Sequence, residues 1–148
     1  MKERNLPGIT GIEYCFVNQL SPESQELIRE GSLIRAIGNF VKIPIHGLAN
    51  CVVTSETVSG QTIYTTTVKF KMIDLQQETR ELIDRIIMYP CAFRITDVYK
   101  EQYLIGINKK PYPVFLPSYK IDELPSGLRV FNAQITYINT FSILQIKD

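Results

Sequence analysis

The side chains that could form a catalytic centre are few and widely spaced in this sequence. Its single histidine, His46, is the obvious base, and Cys15, Cys51 and Cys91 are the obvious nucleophiles. A cysteine or serine hydrolase needs its base beside its nucleophile, and no local motif brings the two together here. Each cysteine lies in an apolar run, which predicts buried, reduced thiols that pack as small hydrophobic groups. We therefore predict that the chain is not an enzyme.

The cysteines and acids also lack the spacing of a metal site or a disulfide framework. The three cysteines are 36 and 40 residues apart, whereas zinc sites use closely spaced pairs and disulfide frameworks use even counts. Asp122 and Glu123 are the only adjacent acids, and no third acid follows as in a calcium loop. We expect no metal and no cofactor. A catalytic site built from carboxylates on distant strands is the least favoured alternative.

The segment 99–120 interleaves tyrosines with lysines and is a candidate surface for a polymer or a protein partner. The residues proposed for this surface are Tyr99, Tyr103, Lys109, Lys110 and Tyr112. Aromatic rings among cations on a small β-barrel can stack single-stranded bases, and tyrosines are also favoured in protein contacts. Sixteen Lys and Arg against fifteen Asp and Glu leave a net charge of +1, which excludes a binder held to nucleic acid by bulk charge. Nucleic-acid binding is therefore the alternative function.

Length and composition indicate an ordinary globular domain. The chain has 148 residues, of which 45% are apolar and 21% charged, so we expect a single domain over 1–148. No apolar stretch approaches the roughly 20 residues that span a bilayer, and the charged N-terminus has no signal-peptide core. The sequence predicts a protein of the cytoplasm.

Most of the predicted elements are β-strands. The best hairpin joins Cys51–Val58 to Gln61–Ile73 through Ser59-Gly60, a two-residue turn pair. The second arm alternates, with Tyr64, Thr66, Val68, Phe70 and Met72 on one face and Lys69 and Lys71 on the other. This arm is long enough to project beyond the core. A bent or broken strand is predicted over Ser32–Ile45, interrupted by Gly38 and Pro44, with the proline at an edge or end. The other predicted strands are Ile12–Val17, Cys91–Val98, Tyr103–Ile107, a short edge strand Tyr112–Leu116, Phe131–Ile138 and Phe141–Ile146, with a loop over Ser118–Gly127.

One amphipathic helix is predicted in mid-chain. Asp74 and Gln77 have capping-box spacing, and Leu75 to Met88 place five apolar residues on one face: Leu75, Leu82, Ile83, Ile86 and Ile87. A second, short helix near 22–30 would begin at Ser21-Pro22-Glu23. The predicted fold class is therefore mainly β, an antiparallel sandwich or partly open barrel with a helix against it.

The last third of the chain resembles a family of structural proteins. The stretch Val98–Gly106, the run Lys110-Pro111-Tyr112-Pro113, Asp122 in a polar loop and the strand Asn132–Tyr137 are similar to the C-terminal half of small proteins from tail-assembly regions of phages and prophages of Bacteroides and relatives. The resemblance implies a β-sandwich or barrel with one helix and a long projecting hairpin. It also implies rings that stack, with copies of the chain and other particle proteins as partners. The chain would then be cytoplasmic during assembly and later part of the virion.

This resemblance makes the long hairpin the candidate arm for self-association. The residues proposed for it are Ser59, Gly60, Tyr64 and Thr66. Exposed strand edges invite pairing with another chain, and heterologous contacts that close generate rings. Self-association as a non-enzymatic assembly protein is the first functional hypothesis.

Overall fold

The structure, a computed structural model, describes residues 2–21, 33–34, 36–140 and 143–146. In these ranges it is mainly β, with ten strands, one α-helix and one short 3₁₀ turn. The strands are β1 (Lys2–Phe16), β2 (Leu33–Ile34), β3 (Val41–Ile43), β4 (Ile45–Val58), β5 (Gln61–Ile73), β6 (Cys91–Asp97), β7 (Gln102–Ile105), β8 (Val114–Glu123), β9 (Arg129–Asn139) and β10 (Leu144–Ile146); the helix α1 is Gln77–Met88 and the 3₁₀ turn is Val17–Gln19.

All ten strands belong to one sheet, in the order β2-β10-β7-β6-β1-β4-β5-β9-β8, with β3 also paired to β1. Every pair is antiparallel except the short one between β10 and β2. The first half of β1 pairs with β4, while its second half lies between β3 and β6. Pro44 separates β3 from β4, which confirms the predicted break in this strand.

The sheet curls strongly, as the distance between two aromatic rings on separate strands shows. Phe93 of β6 and Phe115 of β8 are separated by four strands in the sheet order, a distance of about 24 Å in a flat sheet. Their ring centroids are only 6.5 Å apart. The predicted mainly β class is confirmed, and the sheet takes the form of a partly open barrel.

The interior of the curled sheet is the hydrophobic core, and β5 shows how the sequence fills it. Val68, Phe70 and Met72 are buried while Lys69 and Lys71 are exposed, which confirms the predicted alternation. The same inward face of neighbouring strands contributes further buried residues: Ile9, Ile12, Cys51, Val53, Phe93, Ile95, Phe131, Ile135 and Tyr137. The outward face of β5 is therefore free for polar side chains.

The helix begins two residues later than predicted. Gln76 has a φ of 59°, a left-handed conformation that cannot belong to the helix. Asp74 therefore accepts a hydrogen bond from the Gln76 N–H at 3.0 Å instead of forming the predicted capping box with Gln77. The apolar face is also narrower than predicted, because Leu75 and Ile87 are about half exposed.

Several predicted strand limits were wrong. β1 begins ten residues before the predicted Ile12, and β8 runs on through most of the predicted loop Ser118–Gly127. A bulge between Pro117 and Ile121 absorbs the proline and lets pairing with β9 resume. The last two strands are not paired with each other, since β10 lies beside β7.

The predicted short helix near 22–30 lies outside the described residues. Among the residues that are described, no helix is long and apolar enough to cross a membrane.

Candidate functional site

The hairpin of β4 and β5 projects beyond its neighbours in the sheet. Among the described residues, the last pairs with flanking strands are Lys2 with Ser55 and Tyr64 with Asn139. The residues between 55 and 64 therefore pair only with each other in the described part of the chain. The tip turns through Ser59 and Gly60, both with positive φ, as a two-residue turn between twisted strands requires. The seven residues 56–62 are all exposed. The predicted projection of this hairpin is confirmed.

The four residues proposed for self-association divide between the tip and the interior. Ser59 and Gly60 form the exposed turn, whereas Tyr64 is half-buried against the core and Thr66 is only 1% exposed. Thr66 and Tyr64 share their face of β5 with Val68, so the alternation alone could have shown that they point inward. A contact surface on this hairpin is therefore confined to its tip.

The buried hydroxyl of Thr66 has no hydrogen-bond partner among the described residues. Its cross-strand neighbour Tyr137 lies equally deep, and burial raises the pKa of the Tyr137 phenol to about 12. The Tyr137 hydroxyl accepts a hydrogen bond from the Asn139 side chain at 2.6 Å, which opposes that rise. Thr66 thus has an unsatisfied buried hydroxyl on the strand next to Tyr137, whose hydroxyl is hydrogen-bonded.

We expect the substitution Thr66→Val to stabilise the protein. Valine keeps the shape of threonine and removes an unsatisfied buried hydroxyl, so the free energy of unfolding should rise by about 1–2 kcal/mol. Urea unfolding measures the change. The matched control is Thr67→Val, one residue along and on the outer face, which should change stability by no more than about 0.5 kcal/mol. A loss of stability in Thr66→Val would mean that the hydroxyl has a role in the fold.

A second candidate contact is the open edge of the sheet at β8. Among the described strands β8 pairs with β9 alone, so its other edge has free backbone groups over ten residues. Val114, Leu116 and Ile121 are 52%, 53% and 43% exposed. Long apolar edge strands are templates for pairing with another chain. This edge is therefore suited to adding a strand from a partner.

The Tyr and Lys residues of segment 99–120 do not form one surface. Tyr99 is 83% exposed in the turn between β6 and β7, but Tyr103 is buried and its hydroxyl donates to Glu101. Tyr112 is half-buried against a small core cluster, and Lys109 and Lys110 lie in an exposed turn. Of these three rings only Tyr99 is exposed, so Tyr99, Tyr103 and Tyr112 do not form a shared platform for stacking bases.

The candidate catalytic groups are not brought together either. His46 is exposed on the outer face of β4, whereas the three cysteines are buried and form no disulfide among the described residues. Burial raises the pKa of the Cys15 thiol and raises that of Cys91 to about 12, with a smaller contribution from Cys15. The Cys91 thiol donates to the Tyr89 carbonyl at 3.3 Å. The Cys15 and Cys91 thiols stay protonated at neutral pH, and a protonated thiol is a poor nucleophile.

The carboxylates show no metal-binding grouping in the part of the chain that the structure describes. Asp122 and Glu123 are exposed at the end of the edge strand β8. No group of three or more His, Cys, Asp or Glu side chains among the described residues could hold a metal ion.

Cysteine reactivity gives a pH-dependent prediction. At pH 8 the native protein should label about a thousandfold more slowly at Cys91 than an unfolded sample, because a pKa raised from 9.0 to about 12 leaves about a thousandfold less thiolate. The unfolded chain releases the Cys91 proton first, so the contribution of this thiol to the free energy of unfolding should be constant below pH 9 and be lost between about pH 9 and 12. A disulfide reagent followed by absorbance measures the rate. Rapid labelling of Cys91 in the native protein would contradict the buried, protonated thiol.

No protein-family model, no curated protein and no solved structure matches this chain.

Proposed function

We propose that this chain is a non-enzymatic assembly protein of a phage-like particle, associated with the tail, and that it acts by binding copies of itself. The resemblance of its last third to tail-assembly proteins supports the setting. The observation that carries the self-association is the presence, on one small barrel, of a projecting hairpin and a long open sheet edge. Such elements are used in pairing between chains by strand addition.

The positions of these two elements favour a head-to-tail contact. The hairpin tip lies at the start of β5, while β8 ends at Glu123, which pairs with Arg129 near the opposite end of β5. The 13 residues of β5 correspond to about 43 Å. A tip that binds the edge of the next copy leaves its own edge free for a third copy. Repetition of such a heterologous contact produces a closed ring or an open stack.

The molar mass of the full chain in solution tests this proposal. Light scattering over a hundredfold range of concentration should show a multimer, or a mass that rises with concentration. A mass equal to the 17.0 kDa monomer at every concentration would contradict it.

A further inference from the structure

A shallow groove runs over the outer face of the sheet, away from the hairpin tip. It has a volume of about 800 Å³ and is lined by residues of β4, β5, β8 and β9. Its floor is formed by the outward side chains of β5 and β9. Its two walls are places where strand pairing is irregular, between His46 and Asn50 of β4 and between Pro117 and Ile121 of β8. Bulges bend a strand and re-aim its side chains, and here they border the groove on both sides.

The floor of this groove is basic. Lys69 and Lys71 are both exposed and lie on the same face of β5, so their Cα atoms are about 7 Å apart. No carboxylate is within ion-pair distance of either ammonium group in the described part of the chain. The residues that line the groove include no Asp or Glu. Two positive charges are therefore available to a ligand.

Polar groups surround the two lysines in register. Lys69 pairs with Gln134 and Lys71 with Asn132 on β9, and His46 of β4 pairs with Lys71 on its other side. Amide side chains offer both donors and acceptors. These polar groups flank the lysines across the strands, whereas the two lysines follow each other along β5. A ligand lying along β5 would therefore meet an ammonium group at every second residue position.

This spacing fits an extended acidic peptide. Alternate side chains of an extended chain are also about 7 Å apart, which would place two carboxylates over Lys69 and Lys71. Proteins that bind single nucleic-acid strands stack the bases on exposed aromatic rings. The one Phe, Tyr or Trp in the lining, Phe70, is buried, which leaves the small imidazole of His46 as the exposed ring there. The exposed apolar residues at the rim are aliphatic, Leu48 at 65% and Leu116 at 53%. Aliphatic walls around a basic floor favour a peptide over a nucleic acid.

We propose that this groove binds an extended acidic segment of a partner protein, with Lys69 and Lys71 pairing with carboxylates two residues apart. The groove lies away from the hairpin tip, but its rim shares Leu116 with the β8 edge. Its basic floor on β5 is not part of the contact proposed for self-association, so peptide binding can be tested separately from it.

Binding of a fluorescent octapeptide with alternating serine and glutamate tests the proposal by anisotropy at low salt. The double variant Lys69→Gln, Lys71→Gln should weaken binding roughly tenfold, because it removes two charge pairs. The matched control is Lys109→Gln, Lys110→Gln, which makes the same change of net charge in an exposed turn. The control should change the affinity less than twofold, and affinity of the parent protein should fall as salt rises.

Three results would overturn the proposal. Equal losses in the two double variants would mean that only net charge matters. Tighter binding of oligothymidylate than of the acidic peptide, lost in the Lys69 and Lys71 variant, would assign the groove to nucleic acid. If the parent protein does not bind the peptide and the Lys69 and Lys71 variant loses the multimer, the groove would be assigned to a second copy of the chain. Light scattering on the same samples separates these results from failure of self-association itself, since a parent that is monomeric and still binds the peptide leaves the groove proposal standing.

Discussion

Shortening the projecting hairpin by two residue pairs should convert the proposed multimer into a folded monomer. Deletion of Thr57, Val58, Gln61 and Thr62 joins Glu56 to Ser59 and Gly60 to Ile63. The turn is kept, and the alternation of the arms is unchanged because two residues are removed from each strand. The deleted residues are exposed and, among the described residues, pair only with each other across the hairpin, so they contribute little to the core and are available for the proposed contact.

The shortened variant should be monomeric at concentrations where the parent is expected to be fully associated. Its free energy of unfolding should stay within about 1 kcal/mol of that of the parent. Light scattering measures the mass and urea unfolding the stability. The matched control is Tyr99→Ser, which changes the exposed turn of another hairpin and should leave the mass unchanged. Multimers that persist after the deletion would show that the tip is not the contact and would leave the β8 edge as the remaining candidate.

The features predicted correctly from the sequence are those encoded by neighbouring residues. The β4–β5 hairpin has Ser59-Gly60 at its turn and a strict alternation along β5, so its turn and the limits of β5, Gln61 to Ile73, were correct. The bounds of the helix needed a correction only at its start. Gln76 takes a left-handed conformation there, and its residue type does not predict that conformation. Local chemistry defines local elements well.

The errors in the fold arise where distant strands decide the outcome. A proline and polar residues predicted a loop after Leu116, but pairing with β9 continues because a bulge at Pro117 absorbs the irregularity. The curl of the sheet depends on contacts such as that of Phe93 with Phe115, which no spacing in the sequence reveals.

The candidate site was predicted in part for the same reason. The exposed turn of the hairpin was correct, while Thr66 was selected for its polarity although the alternation placed it with Val68. The two lysines of the outer groove were assigned to the correct face of β5, yet nothing in the sequence marked them as a site. The bulges that border them, at His46–Asn50 and Pro117–Ile121, are products of pairing between strands. A groove between two bulges is visible only in the folded sheet.

A close approach at a glycine positions the start of β8, and Gly106→Ala should be among the most destabilising single substitutions in the chain. Gly106 has a φ of +97°, and a Cβ there would lie 2.6 Å from Cγ of Pro113 and 2.8 Å from its Cδ. Pro113 directly precedes β8, so this contact holds the start of the edge strand against the turn after β7. Alanine adds both backbone strain and a steric overlap with a rigid ring, and the free energy of unfolding should fall by about 3–5 kcal/mol.

Two controls separate the backbone strain of Gly106→Ala from its steric overlap. Gly127 has a similar φ of +87° and no atom within 4 Å of its added Cβ, so Gly127→Ala should cost only the backbone strain, about 1–2 kcal/mol. Replacing Pro113 with alanine removes the overlapping Cγ and Cδ atoms, so Gly106→Ala should cost no more than Gly127→Ala in that background. Urea unfolding of the four variants gives the interaction free energy between positions 106 and 113. Equal losses in Gly106→Ala and Gly127→Ala would mean that the Pro113 ring moves aside freely, and that the start of β8 is not held by this contact.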